Sequence, residues 1–156
     1  MRVINSMKIE LPSKASNLKV ACSAVMAFAN DVTQDKYVLD YINTGVSEAV
    51  DNSIKFAYPN QVGVIAIRCR LLEDNTLEVV VKDKGIGIDD IEQAMVPLYT
   101  TGDKKEHSGM GFTIMESFMD DLRVKSILGK GTTVRMRKKI KWLRLKETCN
   151  ETQRLR

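Results

Sequence analysis

The sequence predicts an α+β fold, a two-layer sandwich in which a mixed sheet is covered by helices on one face. Strand-like runs stand at the start, middle and end of the chain, and segments of helical periodicity lie between them. At 156 residues one core forms without disulfide or metal staples, so residues 1–140 read as one domain followed by a basic tail, 141–156.

Met7 to Leu11 alternates apolar and polar residues and meets Pro12, which cannot donate to a ladder, so it opens the sheet as a short strand. Between Lys14 and Ala29, Leu18, Ala21, Cys22, Val25, Met26 and Ala29 recur at three- and four-residue spacing, and Asn30-Asp31 ends that helix. A longer stripe follows from Asp35 to Phe56 through Val38, Leu39, Ile42, Val46, Ala49, Val50 and Ser53, until Tyr58-Pro59-Asn60 breaks it. Val62 to Cys69 and Thr76 to Val81 are β-rich and joined by Glu73-Asp74-Asn75, a hairpin for the middle of the sheet. Ile88 to Val96 leaves room for a short helix before Pro97, and Leu98 to His107 is a polar, aperiodic stretch expected to be a mobile loop. Phe112, Ile114, Met115, Phe118 and Met119 predict a helix ending near Asp120-Asp121, and Leu122–Ile127 with Thr132–Arg137 form a last hairpin around Leu128-Gly129-Lys130-Gly131.

With 44% apolar and 28% charged residues, the composition excludes disordered and fibrous classes. The net charge of +4 is concentrated late, where Arg135, Arg137, Lys138, Lys139, Lys141, Arg144 and Lys146 fall within twelve positions. Few aromatics interleave with them, so they read as a solvated edge strand and tail rather than a nucleic-acid patch. Cys22, Cys69 and Cys149 form no CxxC pair and point to reduced thiols, not a disulfide framework or zinc site. The longest apolar run, near Ala24 to Ala29, is too short to cross a bilayer, so a cytoplasmic protein with no membrane partner is expected.

Three elements carry chemistry. Glu48 and Asn52, four apart on the long helix, project toward one point. The Asn carbonyl suits Mg²⁺ held mostly by phosphates and water, and the carboxylate suits proton acceptance from a hydroxyl, although the pair alone also fits a solvated helix face. Asp83, at a strand end before Gly85 and Gly87, can accept from an exocyclic amine such as that of adenine while the glycines let backbone approach a ligand; a tight turn needing glycine has the same signature. Gly109-Met110-Gly111 opens a helix whose free N–H groups and positive dipole end suit phosphates, and Thr100, Thr101, Lys104, Lys105 and His107 precede it as a lid.

Glu48-x-x-x-Asn52, Asp83-x-Gly85-x-Gly87, Gly109-x-Gly111 and Gly131-Thr132-Thr133, in that order, resemble the ordered motifs of the GHKL ATPase and kinase superfamily, with its Bergerat ATP-binding fold. The longer strings Val46–Val50, Pro97–Thr101 and Ser108–Asp121 resemble the anti-sigma factor serine kinases of the sporulation anti-sigma F type. That resemblance covers about Met7 to Arg137 and implies a homodimer that binds ATP and Mg²⁺. It also implies sequestration of an RNA polymerase sigma factor of the sigma F type and phosphorylation of a serine on an anti-anti-sigma protein. Glu48 is then the general base, Asn52 the Mg²⁺ ligand, and Asp83 the reader of adenine with Thr132 or Thr133. Gly85, Gly87, Thr100, Thr101, His107, Ser108, Gly109, Met110, Gly111 and Phe112 complete the nucleotide contacts. Two positions depart from the family pattern, His107 and Cys22, each standing where an arginine is usual. Two other readings compete: a nucleotide-gated sigma-binding module with little kinase activity, and the catalytic domain of a histidine kinase, for which the chain offers no phospho-acceptor histidine helix.

Overall fold

The computed structural model describes residues 1–99 and 109–141. Strand β1 (Val3–Pro12) leads into helices α1 (Asn17–Asn30) and α2 (Lys36–Asn52), the latter continuing without a break as a π turn over Ser53–Ala57. The hairpin β2 (Val64–Leu72) and β3 (Thr76–Asp83) follows, then the one-turn helix α3 (Ile91–Ala94), helix α4 (Gly111–Phe118), and the hairpin β4 (Asp121–Ile127) and β5 (Gly131–Lys139). Helix α2 starts where Asp35 caps it, its side chain accepting from the N–H groups of Tyr37 at 3.0 Å and Val38 at 3.3 Å, a cap that contributes about 1 kcal/mol.

The two-layer α+β architecture holds. The sheet runs β1-β2-β3-β5-β4 with the helices packed on one face. It is antiparallel at every described pairing rather than mixed. Two helices separate β1 from β2 and return the chain to the end where it left the sheet, so β2 runs back along β1. Strands β3 and β4 share a direction, but β5 inserts between them and no parallel ladder forms.

The core lies between the sheet and the helices. Ile65, Ile67, Cys69, Val79, Val81, Val134 and Met136 of the sheet meet Ala21 and Val25 of α1, Ile42, Val46 and Val50 of α2, and Met115 of α4. The period-two alternation of the strands sends the intervening residues to the opposite face, which no described helix covers. Burial pushes the Cys69 thiol up to about 12, as suits an unreactive core cysteine, and Cys22 and Cys69 are both free.

The basic run does not lie on an edge strand. Strand β5 is interior, because the β4–β5 hairpin folds with β5 against β3 and leaves β4 outside. Its cations are paired: Arg137 with Glu78, Lys138 with Asp120, Lys139 with Asp74 and Arg135 with Asp121. The chain from residue 142 onward, where the tail was expected, lies outside the described residues.

Candidate nucleotide-binding site

A cleft of about 760 Å³ opens at one end of the helical layer, between α2 with its π turn, the loop after β3, and the start of α4. Nucleotide pockets have this size and mixed lining. Glu48 and Asn52 line one side of it, as their four-residue spacing on α2 predicts.

At one end of the cleft, Asp83 closes β3 and is almost wholly buried, the residue 5% exposed. Its Oδ1 accepts from the N–H of Gly85 at 3.0 Å and of Thr132 at 3.1 Å, and its Oδ2 accepts from the Ser53 hydroxyl at 2.9 Å. A carboxylate offers about four lone-pair sites; with three taken, one acceptor remains for a ligand amine. Burial without partners would be costly, and these three donors compensate it.

Gly85 does not itself line the cleft. A side chain there would place its Cβ 2.0 Å from the Ala57 carbonyl oxygen, so glycine lets the loop pack on the π turn. The wide turn holds that carbonyl where it accepts from the Ile86 N–H at 2.8 Å. Gly131 has the same function on the far side: at φ +110° its missing Cβ would lie 2.2 Å from the Asp83 carbonyl oxygen. Both glycines bring backbone onto backbone around Asp83, whereas Gly87, Gly109, Gly111 and Phe112 face the cleft.

Thr132 and Thr133 part company. Thr132 lines the cleft and its Oγ1 lies 2.8 Å from Ser126 Oγ, which also accepts from the Ile88 N–H at 2.7 Å. Thr133, one residue on, lies on the opposite face of the sheet, in a shallow depression among Arg68, Arg123, Lys125 and Arg135. It is therefore not brought to the cleft with the other candidates.

The other end of the cleft is differently furnished. A Cβ on Gly111, the first residue of α4, would lie 3.1 Å from Glu48 Oε2 and 3.2 Å from Asn52 Nδ2. The helix start thus abuts both side chains, and its first-turn N–H groups have no intrahelical partner. Met110, its N-cap residue, makes no side-chain cap and is not among the residues lining the cleft. Burial, and the nearby Asp51 carboxylate, raise the Glu48 pKa above its ordinary value, against an opposing pull from Lys55. Lys55 is itself committed to Asp51 at 2.6 Å. Leu98 and Gly109 meet at the mouth, where the Leu98 N–H donates to the Gly109 carbonyl at 2.9 Å. Thr100, Thr101, Lys104, Lys105, His107 and Ser108 lie outside the described residues.

No cluster of three or more His, Cys, Asp or Glu side chains suited to a metal occurs among the described residues. The donor set beside Glu48 is one amide oxygen, Asn52, which fits a Mg²⁺ carried largely by phosphates and water. Ser53 and Ser126 are site residues that sequence reasoning did not single out. Ser53 counts there as part of the apolar stripe, and its only signal is its place next to Asn52.

Comparison with known proteins agrees with this geometry. The histidine kinase-like ATPase domain family matches residues 11–138. The chain is 45% identical over 135 residues to the anti-sigma F factor of Clostridium acetobutylicum, covering 86% of this chain and 94% of that protein. It is 46% identical over 140 residues to the anti-sigma F factor of Caldanaerobacter subterraneus, covering 90% and 97%. Among solved structures, the RsbU and RsbW domains of a Mycobacterium tuberculosis protein superimpose with a TM-score of 0.62 at 16% identity, over 86% of this chain and 32% of that one. The histidine kinase domain of an Erythrobacter litoralis blue-light activated kinase gives 0.52 at 23% identity, over 67% and 45%, and these two likenesses concern the fold alone. The cleft, its motifs and these matches agree, and the chain belongs to the histidine kinase-like ATPase domain family, with anti-sigma F factors among its relatives.

Proposed function

We propose that this chain is an ATP-dependent protein serine kinase and anti-sigma factor. It holds an RNA polymerase sigma factor of the sigma F type and phosphorylates a serine on an anti-anti-sigma protein in the cytoplasm. The observation that carries the chemical part is that Glu48 and Asn52 both abut the start of α4, where a Cβ on Gly111 would stand 3.1 Å from Glu48 Oε2 and 3.2 Å from Asn52 Nδ2. The anti-sigma part rests on the relatives' names and on identity over most of the chain.

The residues divide the work of in-line phosphoryl transfer, where positioning and charge neutralisation supply most of the rate. Asp83, held by Ser53, Gly85 and Thr132, presents its remaining lone pair to the adenine amine. The start of α4 receives phosphate oxygens on its free N–H groups. Glu48 takes the proton of the attacking serine hydroxyl, a task for which a raised pKa brings a carboxylate nearer the working pH. Asn52 would hold Mg²⁺, which when bound neutralises charge on the phosphates. In this reading Thr100, Thr101, Lys104, Lys105 and His107 serve as the phosphate lid, Ser108 joins the nucleotide contacts, and residues 1–140 are the nucleotide-binding unit of a homodimer.

A second reading, a nucleotide-gated sigma-binding module with little kinase activity, draws on one feature. Among the described residues that line the cleft, Lys55 is the only cation, and it is paired with Asp51. The two readings part on incubation with Mg-ATP and an anti-anti-sigma protein of the sporulation type. The kinase adds one phosphate to that protein by intact mass; a sequestering module leaves its mass unchanged while ATP still promotes capture of the sigma factor.

A further inference from the structure

The helix-free face of the sheet carries charge in an order that folding does not require. Three rows cross it, each following the ladder from strand to strand. In the first, Arg70, Glu78, Arg137 and Asp121 stand opposite one another and alternate in sign. Glu78 is fully buried there, and Arg70 Nε and Arg137 Nε each donate to it at 2.9 Å. This row is balanced.

The next two rows are not. One holds Lys8, Arg68, Val80, Arg135 and Arg123, and the other holds Glu10, Ala66, Lys82, Thr133 and Lys125. Glu10 is their single carboxylate, and it is paired with Lys8 at 3.0 Å. Arg123 and Arg135 face each other directly across β4 and β5, a like-charge pairing that weakens a sheet. Asp121 of the first row is their shared counter-charge, at 3.8 Å from Arg123 and 3.3 Å from Arg135. Arg135 Nε is buried and has no hydrogen-bond partner among the described residues. Arg68, Arg123, Lys125, Thr133 and Arg135 surround a depression of about 170 Å³, remote from the nucleotide cleft because it lies on the other face of the sheet.

We propose that this face docks an acidic segment of a partner protein, one carboxylate entering the depression between Arg68 and Arg135 while others lie along Lys82, Arg123 and Lys125. An unbalanced, like-charged cluster beside a balanced row is a site whose counter-charge comes from outside. A protein segment suits it better than nucleic acid. A five-stranded sheet face is too broad to enter a groove, and no aromatic ring stands in these rows to stack a base.

The test is fluorescence anisotropy on the full chain at low salt with a labelled polyglutamate peptide and, separately, a labelled single-stranded oligonucleotide of matched charge. The peptide is expected to bind in a salt-dependent manner and more tightly than the oligonucleotide. The Arg123→Glu/Lys125→Glu variant, altered at exposed positions of an edge strand, should weaken peptide binding about tenfold or more, while Lys19→Glu on exposed α1 should not. Melting temperatures no lower than wild type and an ATP affinity equal to it, expected of both variants, separate lost docking from lost folding. Absent peptide binding, tighter oligonucleotide binding, or equal losses in the Lys19→Glu control would each overturn the proposal. Should the double variant fail to fold, Arg68→Ala, altered at an exposed position of β2 on the other side of the depression, carries the same expectation of weakened peptide binding.

Discussion

The two ends of the cleft are built differently. Around Asp83 three donors hold the carboxylate and leave it one acceptor site, and two glycines pack backbone against backbone about it. Around Glu48 the carboxylate is half-buried with a raised pKa, and the first N–H groups of α4 lack helical partners. The Asp83 end is held in place by its own protein partners, and the Glu48 end is left with more unmet capacity. Binding and chemistry should therefore be separable by mutation.

The largest effect expected is on chemistry. Glu48→Ala should lower phosphoryl transfer by about 10²–10⁴-fold while leaving ATP affinity nearly unchanged, as measured by single-turnover transfer beside calorimetric titration. At the opposite end Asp83→Asn should do the reverse first, weakening ATP binding by roughly 1–3 kcal/mol, about fivefold to 150-fold. The amide turns one acceptor into a donor facing the Ser53 hydroxyl or the ligand amine.

Smaller effects sharpen the contrast. Gly85→Ala drives a Cβ toward the Ala57 carbonyl and should cost about 1–3 kcal/mol of stability, read as a lower denaturation midpoint. Ser53→Ala removes a single hydrogen bond to Asp83, worth about 1 kcal/mol, and should weaken ATP several-fold with no change in the pH dependence of transfer.

The smallest effect carries a sign. Because the folded-state pKa of Glu48 is raised above the ordinary 4.5, its contribution to stability is fully present below that value and is lost as pH rises through the folded one. Glu48→Gln should accordingly melt slightly higher than wild type near neutral pH, and the gap should close as pH falls toward 4.5. Thermal melts across pH test this. A variant that melts lower at every pH would mean that the Glu48 carboxylate stabilises the fold.

Much of this division was legible in the residues. The spacing of Glu48 and Asn52 on a helix whose other face is apolar places them together, and a strand-end aspartate followed by spaced glycines places Asp83 beside a tight loop. What local pattern does not carry is pairing. That Thr132 faces the cleft and Thr133 the other side follows only once β5 is known to lie between β3 and β4 with Val134 and Met136 inward. The same insertion removes the basic run from the edge and makes the expected mixed sheet antiparallel. Gly85 reads as a ligand-facing glycine until the π turn brings the Ala57 carbonyl against it. Ser53 looks like one more member of the buried stripe because its partner stands thirty residues away.

The measurement that bears most directly on the two-ended cleft is a paired one on wild type and Glu48→Ala: titration with Mg-ATP, then incubation with an anti-anti-sigma protein followed by intact mass. The expected result is equal ATP affinity in both proteins, with one phosphate transferred by wild type and none by the variant. Transfer undiminished in Glu48→Ala, or ATP binding lost together with transfer, would contradict the assignment of chemistry to the Glu48 end and of binding to the Asp83 end.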